Sequence, residues 1–278
     1  MKLLPGPGAL LRLTLVALLA APALAAAEGR TLPDDPKAYT AEDIQACVQE
    51  NVPERTSEQH FEFTSVDRVG SERSSRAEVF GKRFEDGLRR VLLKFARPDD
   101  LRGSAFLMIE HSGGTGSDMF LYSPELRKVK RLSGTATASS LFGTDFSAED
   151  FERLQGINRP GELRRLEDDE VDGRAAWRLE TLPTKAAESA YTRIVTFVDQ
   201  ERCIALRTES YETGDRLRKV LTADPESIER FGDIWVPQKM VMRDERDQTH
   251  TRLEVDEVKL DDEIRDQVFS LSTLERGR

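Results

Sequence analysis

Histidine and cysteine are scarce, at three and two in 278 residues. His60, His111 and His250 are scattered, and nothing in the chain has the spacing of a metal-ligand set. The signatures of covalent chemistry are missing as well. There is no Gly-x-Ser-x-Gly nucleophile elbow, and neither cysteine has a histidine close by in sequence. The glycine cluster Gly113-Gly114-Thr115-Gly116-Ser117 lacks the Gly-Lys-Ser/Thr ending and the following helix of a phosphate loop, so it reads as a hairpin tip. The acidic runs Glu167-Asp168-Asp169-Glu170, Asp256-Glu257 and Asp261-Asp262-Glu263 have the look of solvated surface. The expectation is a protein that is not an enzyme, with no catalytic residues, no metal and no cofactor. Basic charge is also in deficit: 41 Lys and Arg stand against 51 Asp and Glu, a formal charge of −10. Nucleic acid, whose phosphates require a basic face, is excluded as a partner. Past residue 27 no apolar run is long enough to cross a bilayer.

What is present begins with an export signal. Lys2 precedes a stretch from Ala9 to Ala21 rich in Leu, Ala and Val, and Ala23-Leu24-Ala25 supplies a small-x-small cleavage pattern. Residues 1–25 are expected to be a signal peptide and 26–39 a flexible leader, with 40–278 a single domain. No cysteine follows the apolar stretch, which argues against a lipid anchor. The expected mature protein is exported and touches membranes peripherally if at all. In an oxidising compartment Cys47 and Cys203 can form a disulfide between distant elements; two separately buried thiols are the other reading.

Thr40 with Asp43, and Ser147 with Asp150, fit N-cap patterns for two short helices. From residue 58 the rhythm is period two: Phe61 and Phe63 share one side, while His60, Glu62 and Thr64 take the other. Asp86-Gly87, Asp172-Gly173 and Gly214-Asp215 mark turns between successive apolar runs. Strand–helix–strand alternation is missing, so the sheet is antiparallel. The fold class is mainly β: an unclosed antiparallel barrel of about ten or eleven strands in meander order, wrapped over a few helices. A two-sheet sandwich with a filled core is the alternative.

Residues 118–151 look like the organising stretch. A short strand turns at Ser123-Pro124-Glu125 into the basic run Arg127-Lys128-Val129-Lys130-Arg131. A Gly/Ser/Thr/Ala segment then delivers Leu141, Phe142 and Phe146 to the helix capped by Ser147. Such a segment suits a movable flap over an apolar hollow; an ordinary surface loop is the plainer reading.

The pieces "FLYSPELRKVKRL", "GTDFSAEDF", "YTRIVTFVD", "RGSAFL" and Gly232-Asp233-Ile234-Trp235-Val236-Pro237 together resemble an uncharacterised branch of the periplasmic outer-membrane lipoprotein-sorting proteins, the LolA/LolB-like superfamily. The resemblance covers nearly all of the mature chain. It implies the unclosed barrel over helices, a periplasmic location and a hydrophobic cavity for lipid acyl chains. It also implies a carrier that moves lipoprotein or another lipid between inner and outer membrane, served by an inner-membrane transporter of the ABC or RND type. The alternative is an adaptor or lipid sensor on the same fold, partnering an exporter or another envelope protein. The basic run departs from the well-studied carriers. Candidate acyl-chain contacts are Phe95, Met108, Phe120, Tyr122, Leu141, Phe142, Phe146, Trp177, Met240 and Met242, the thioethers because they adapt to flexible chains. Arg127, Lys128, Lys130 and Arg131 are candidates for a headgroup or partner contact, or else guard a sheet edge.

Overall fold

The structure, a computed structural model, describes residues 35–276, all within the unit Pro33–Arg278. The expected signal peptide, and the leader up to residue 34, lie outside the described residues. Helix α1 (Ala41–Gln49) leads into β1 (Thr56–Val66), β2 (Glu72–Arg83), β3 (Arg89–Arg97), β4 (Ala105–Glu110), β5 (Ser117–Ser123) and β6 (Lys128–Leu132). Helix α2 (Ala148–Leu154) follows, then β7 (Gly161–Arg165), β8 (Asp169–Val171), β9 (Arg174–Pro183), β10 (Arg193–Asp199), β11 (Ala205–Glu212) and β12 (Arg216–Ala223). The chain goes on through β13 (Ile228–Phe231), β14 (Ile234–Pro237), β15 (Lys239–Asp244), β16 (Thr249–Leu260) and α3 (Leu271–Arg276).

Fourteen strands form one curved antiparallel sheet, and β13–β14 form a separate ribbon. The sheet is open: β6 and β7 are its two edges. The strands outnumber the sequence expectation in part because two segments hold two strands each. "IWVPQKMVMRDE" breaks after Pro237 into β14 and β15, and the charged stretch 162–170 holds two short strands. The order is also more than a meander. Strands β1 to β6 run outward from one side of a central β1–β16 pair, which joins them to the β15–β12–β11–β10–β9 half.

Both helix starts form as their sequences dictate. The amide of Asp43 donates to Thr40 Oγ1 at 3.2 Å, and the amide of Thr40 donates to the Asp43 carboxylate at 2.8 Å. Ser147 and Asp150 repeat the arrangement at 3.2 and 2.9 Å. Each box satisfies amides that a helix start leaves unpaired.

Alternation along the strands sorts apolar side chains onto two faces. Phe61, Phe63, Val91, Leu93, Phe95, Phe106 and Met108 point to the face that carries α2, and pack with its Phe151 and with Phe146. Leu92, Leu107 and Tyr122 point to the opposite face, which the chain's end covers with Ile264, Phe269 and Leu274. At the chain's end Phe269 and Leu274 are buried while Leu271 is exposed.

Candidate functional site: a cavity beneath the helices

The half of the sheet from β9 to β12 and β15 faces the helices with few large side chains. One row of register partners runs Leu179, Thr196, Thr208, Leu221, Met242; the next runs Thr181, Ile194, Ser210, Lys219. Three threonines and a serine stand where the β1–β4 half carries phenylalanines, so the helices cannot close onto the sheet here. The result is a cavity of about 260 Å³, lined largely by apolar side chains. Ile194, Val198, Ala223, Met240, Met242 and Val255 form its floor, and Val48, Val52, Ile157 and Ile234 to Pro237 its roof.

The roof is held by several cross-links. Cys47 of α1 is bridged to Cys203 after β10, with 5.4 Å between the Cα atoms and 156 residues of sequence between them. Asn51 donates to the carbonyls of Arg202 (2.7 Å) and Cys203 (3.2 Å), and accepts from the amide of Trp235 at 2.7 Å. The Gln49 side chain donates to the carbonyl of Gly156 at 3.1 Å. Gly156 is required twice over: its φ is +75°, and a Cβ there would sit 2.3 Å from a Val52 methyl.

At the end of the cavity beneath α2 lies a buried ionic cluster. Glu149, Asp150 and Glu152 have side chains at most 2% exposed, and they face Arg153, Arg159 and Lys219. Lys219 Nζ lies 2.8 Å from Asp150 and donates to the carbonyl of Asp145 at 2.7 Å. Tyr191 donates its hydroxyl to Asp150 at 2.9 Å. Burial alone would push the Asp150 carboxyl up; Lys219, then Arg153, together with the hydrogen bonds, outweigh it and hold the group below its ordinary range. Burial, followed by the Asp150 charge, pushes the Tyr191 phenol well above its ordinary value. Three acids against three bases, with hydrogen-bond partners at each carboxylate, make a satisfied strut under α2; neither shift puts a group near neutrality for proton transfer.

Arg89 differs from that cluster. It lines the cavity and is 3% exposed. It donates to the Pro53 carbonyl at 2.8 Å and sits 3.5 Å from Ser57 Oγ. Among the described residues no carboxylate forms an ion pair with it, and its Nε has no hydrogen-bond partner. Burial foremost, then the neighbouring Arg83, lower its pKa to about 10, against the opposing pull of Glu110.

Of the ten candidate contacts, Met240 and Met242 line the cavity. Phe95, Met108, Leu141 and Phe146 are packed in the aromatic core beside it. Phe142 is half-buried with its ring 4.5 Å from that of Phe95. Phe120 and Tyr122 alternate onto the opposite face, under the chain's end. Trp177 shares the row side of Leu179 but is capped by Tyr39, whose ring stacks on it at 4.7 Å.

The segment expected as a flap is held by hydrogen bonds to its own backbone and to β16. The Leu141 amide donates to the Phe146 carbonyl at 2.8 Å, the Asp145 amide to Thr251 Oγ1 at 2.8 Å, and Thr249 and Thr251 donate to the Asp145 carboxylate. Arg131 pairs with Asp118, whereas Arg127, Lys128 and Lys130 stand exposed at and beside the edge strand β6. The sequence reading missed Arg89 and the α2 acids. Glu149, Asp150, Glu152 and Arg153 within one seven-residue helix were the available signal, since so short a helix on a sheet cannot keep all of them in water.

No curated protein matches the chain. Among solved structures it is similar to a domain from Vibrio parahaemolyticus named for outer membrane lipoprotein sorting. The two are 23% identical, with 87% of this chain and 100% of that one covered at a TM-score of 0.77. A DUF1329 family protein from Desulfovibrio piger is 26% identical over 84% of this chain and 97% of its own, at 0.78. A LolA superfamily protein from Nitrosomonas europaea is 19% identical over 84% and 99%, at 0.65. These likenesses show the LolA-like fold, the unclosed sheet over helices expected from the sequence. A family model described only as an uncharacterized protein matches residues 87–276. The chain belongs to that family, an uncharacterised branch with the LolA-like fold.

Proposed function

We propose that the protein is a periplasmic carrier that takes a lipid acyl chain, borne by a lipoprotein or a free lipid, into the cavity beneath α1 and α2 and moves it between inner and outer membrane. The observation that carries this reading is the largely apolar hollow of about 260 Å³ between the sheet and the helices. Each methylene withdrawn from water contributes about 0.8 kcal/mol, so a long chain contributes on the order of 10 kcal/mol. That is ample for capture, and release then needs a competing apolar surface on a partner at either membrane, such as an inner-membrane transporter. Two similar proteins carry names that refer to lipoprotein sorting or to LolA, which supports the cargo class. Among the described residues no helix is long and apolar enough to cross a membrane. The reading involves binding alone, with no covalent step.

The test is lipid transfer. Protein expressed with its leader and purified from periplasm should carry acyl lipid detectable by native mass spectrometry, and should move labelled lipid between donor and acceptor vesicles. Lipid bound but never transferred would favour a sensor or adaptor. A lipid-free protein that takes up none from vesicles would end the proposal.

A further inference from the structure

The charged side chains of the cavity wall are those of the α2 cluster, whose charges balance one another, and Arg89, which has no ion-pair partner among the described residues. Arg89 begins β3 on the same face as Val91, Leu93 and Phe95, and it lies against Gly81 of β2, where an added Cβ would meet a guanidinium nitrogen at 2.8 Å. The missing side chain at position 81 leaves the room that the guanidinium occupies. One N–H is used on the Pro53 carbonyl and another lies at the limit of a hydrogen bond to Ser57 Oγ. A guanidinium has five N–H donors, so most of its fork is unused. Glu110 spends a carboxylate oxygen on the Arg89 backbone amide, at 2.7 Å, instead of on the side chain. The nearby charges of Arg83 and Glu110 oppose each other in their effect on Arg89. Gln59, two residues along β1 from Ser57, also lines the cavity and adds an amide at the same end.

A buried cation without an ion-pair partner is costly unless something binds it. We propose that Arg89 holds the carboxylate of a single-tailed amphiphile, a fatty-acid-type guest whose charged end is bound inside the cavity with its tail along the Met240–Met242 floor. One guanidinium balances one negative charge, and its planar fork matches a carboxylate's two oxygens. A phosphate dianion would need a second cation, and the α2 bases are already committed to their own acids. The guest class rests on the carrier reading above, which on its own would admit any alkyl chain.

The experiment is displacement of a fluorescent alkyl probe from the delipidated protein by dodecanoate and by 1-dodecanol, which share a tail and differ in the charged end. Wild type should bind dodecanoate tighter by about tenfold or more. In Arg89→Met that ratio should fall towards one, and in Arg89→Lys, which keeps a cation but loses the fork, it should survive in reduced form. Equal affinity of wild type for the two ligands overturns the inference and leaves the carrier reading standing. A dodecanoate preference that persists undiminished in Arg89→Met overturns it as well. Failure of wild type to bind either ligand overturns the carrier reading and this inference together. Should Arg89→Met not fold, the wild-type ratio and Arg89→Lys still decide the question.

Discussion

The two halves of the face beneath the helices use one backbone architecture for opposite ends. From β1 to β4 it is largely filled: the rings of Phe61, Phe63, Phe146 and Phe151 lie 5.9–6.2 Å apart in edge-on and tilted pairs. From β9 to β12 and β15 the equivalent rows hold Thr181, Thr196, Thr208, Ser210 and Ala223, and the helices stand off. A sheet that curves cannot bring a helix equally close to all its strands, so side-chain size decides which part closes. The filled half anchors α2; the disulfide and Asn51 then hold α1 over the gap without collapse into it. A filled part and a hollow part are thereby separated along a single face.

Truncation breaks this contrast most sharply. Phe63→Ala should cost about 3–5 kcal/mol, because its neighbours are fixed by one another and leave a void. Met242→Ala, whose side chain already borders empty space, should cost less, near the lower limit of about 2 kcal/mol. Urea unfolding of both variants measures the difference, and equal losses would mean that the two halves are packed alike.

Lys219→Met should cost about 3–5 kcal/mol by leaving Asp150 buried without its principal cation. The variant also changes the acid limb. In the native protein Asp150 titrates below its unfolded value of 3.8, so its contribution is present above that value and is lost as pH falls through the folded one. Without Lys219 burial dominates, the folded value rises, and unfolding should set in at higher pH. Acid titration followed by circular dichroism reads the shift; an unchanged midpoint would remove the cluster from the account.

Replacing Cys203 by serine should lower stability by about 2–4 kcal/mol, since a bridge across so long a loop restricts the unfolded chain strongly. Its effect on the hollow half should exceed that on the filled half, read as faster amide exchange in α1 and β14 than in β1 and β3. Uniform acceleration would deny the bridge its local role.

Enlargement gives the smallest effect on stability and the clearest division. Ala148→Leu, in the filled half, should cost about 1–3 kcal/mol through overpacking. Thr208→Leu, pointing into the hollow, should change stability by less than about 1 kcal/mol while greatly weakening alkyl-chain binding. Thermal melts with probe displacement score both at once.

Much of the architecture was legible in the chain. Period-two alternation at Phe61 and Phe63, the Asp-Gly turns and the two capping boxes are local signals, and local signals survive in tertiary context. The pairing of β1 with β16 was not legible, because it joins residues nearly two hundred apart and leaves no mark on either strand alone. The cavity was half visible. Met240 and Met242 border it, whereas the bulky apolar residues Phe95, Met108, Leu141 and Phe146 pack in the core beside it, since large side chains fill space rather than leave it. What opens the hollow is the small polar side of "YTRIVTFVD" and "CIALRTESYE", where Thr196, Thr208 and Ser210 look like an ordinary wet face. Phe120 and Tyr122 fell to the opposite face because one-residue parity, which sequence shows, says nothing about which face bears the helices.

The central claim, that a guest's tail lies along the β9–β15 half and leaves the core around Met108 and Met119 untouched, can be tested with the methionines as reporters. Met240 and Met242 border the cavity, while Met108 and Met119 are at most 1% exposed in the filled core. With methyl-labelled methionine, titration of an alkyl lipid should shift the NMR signals of Met240 and Met242 and leave those of Met108 and Met119 in place. Saturable binding that moves Met108 and Met119 instead, or none of the four, would contradict the account.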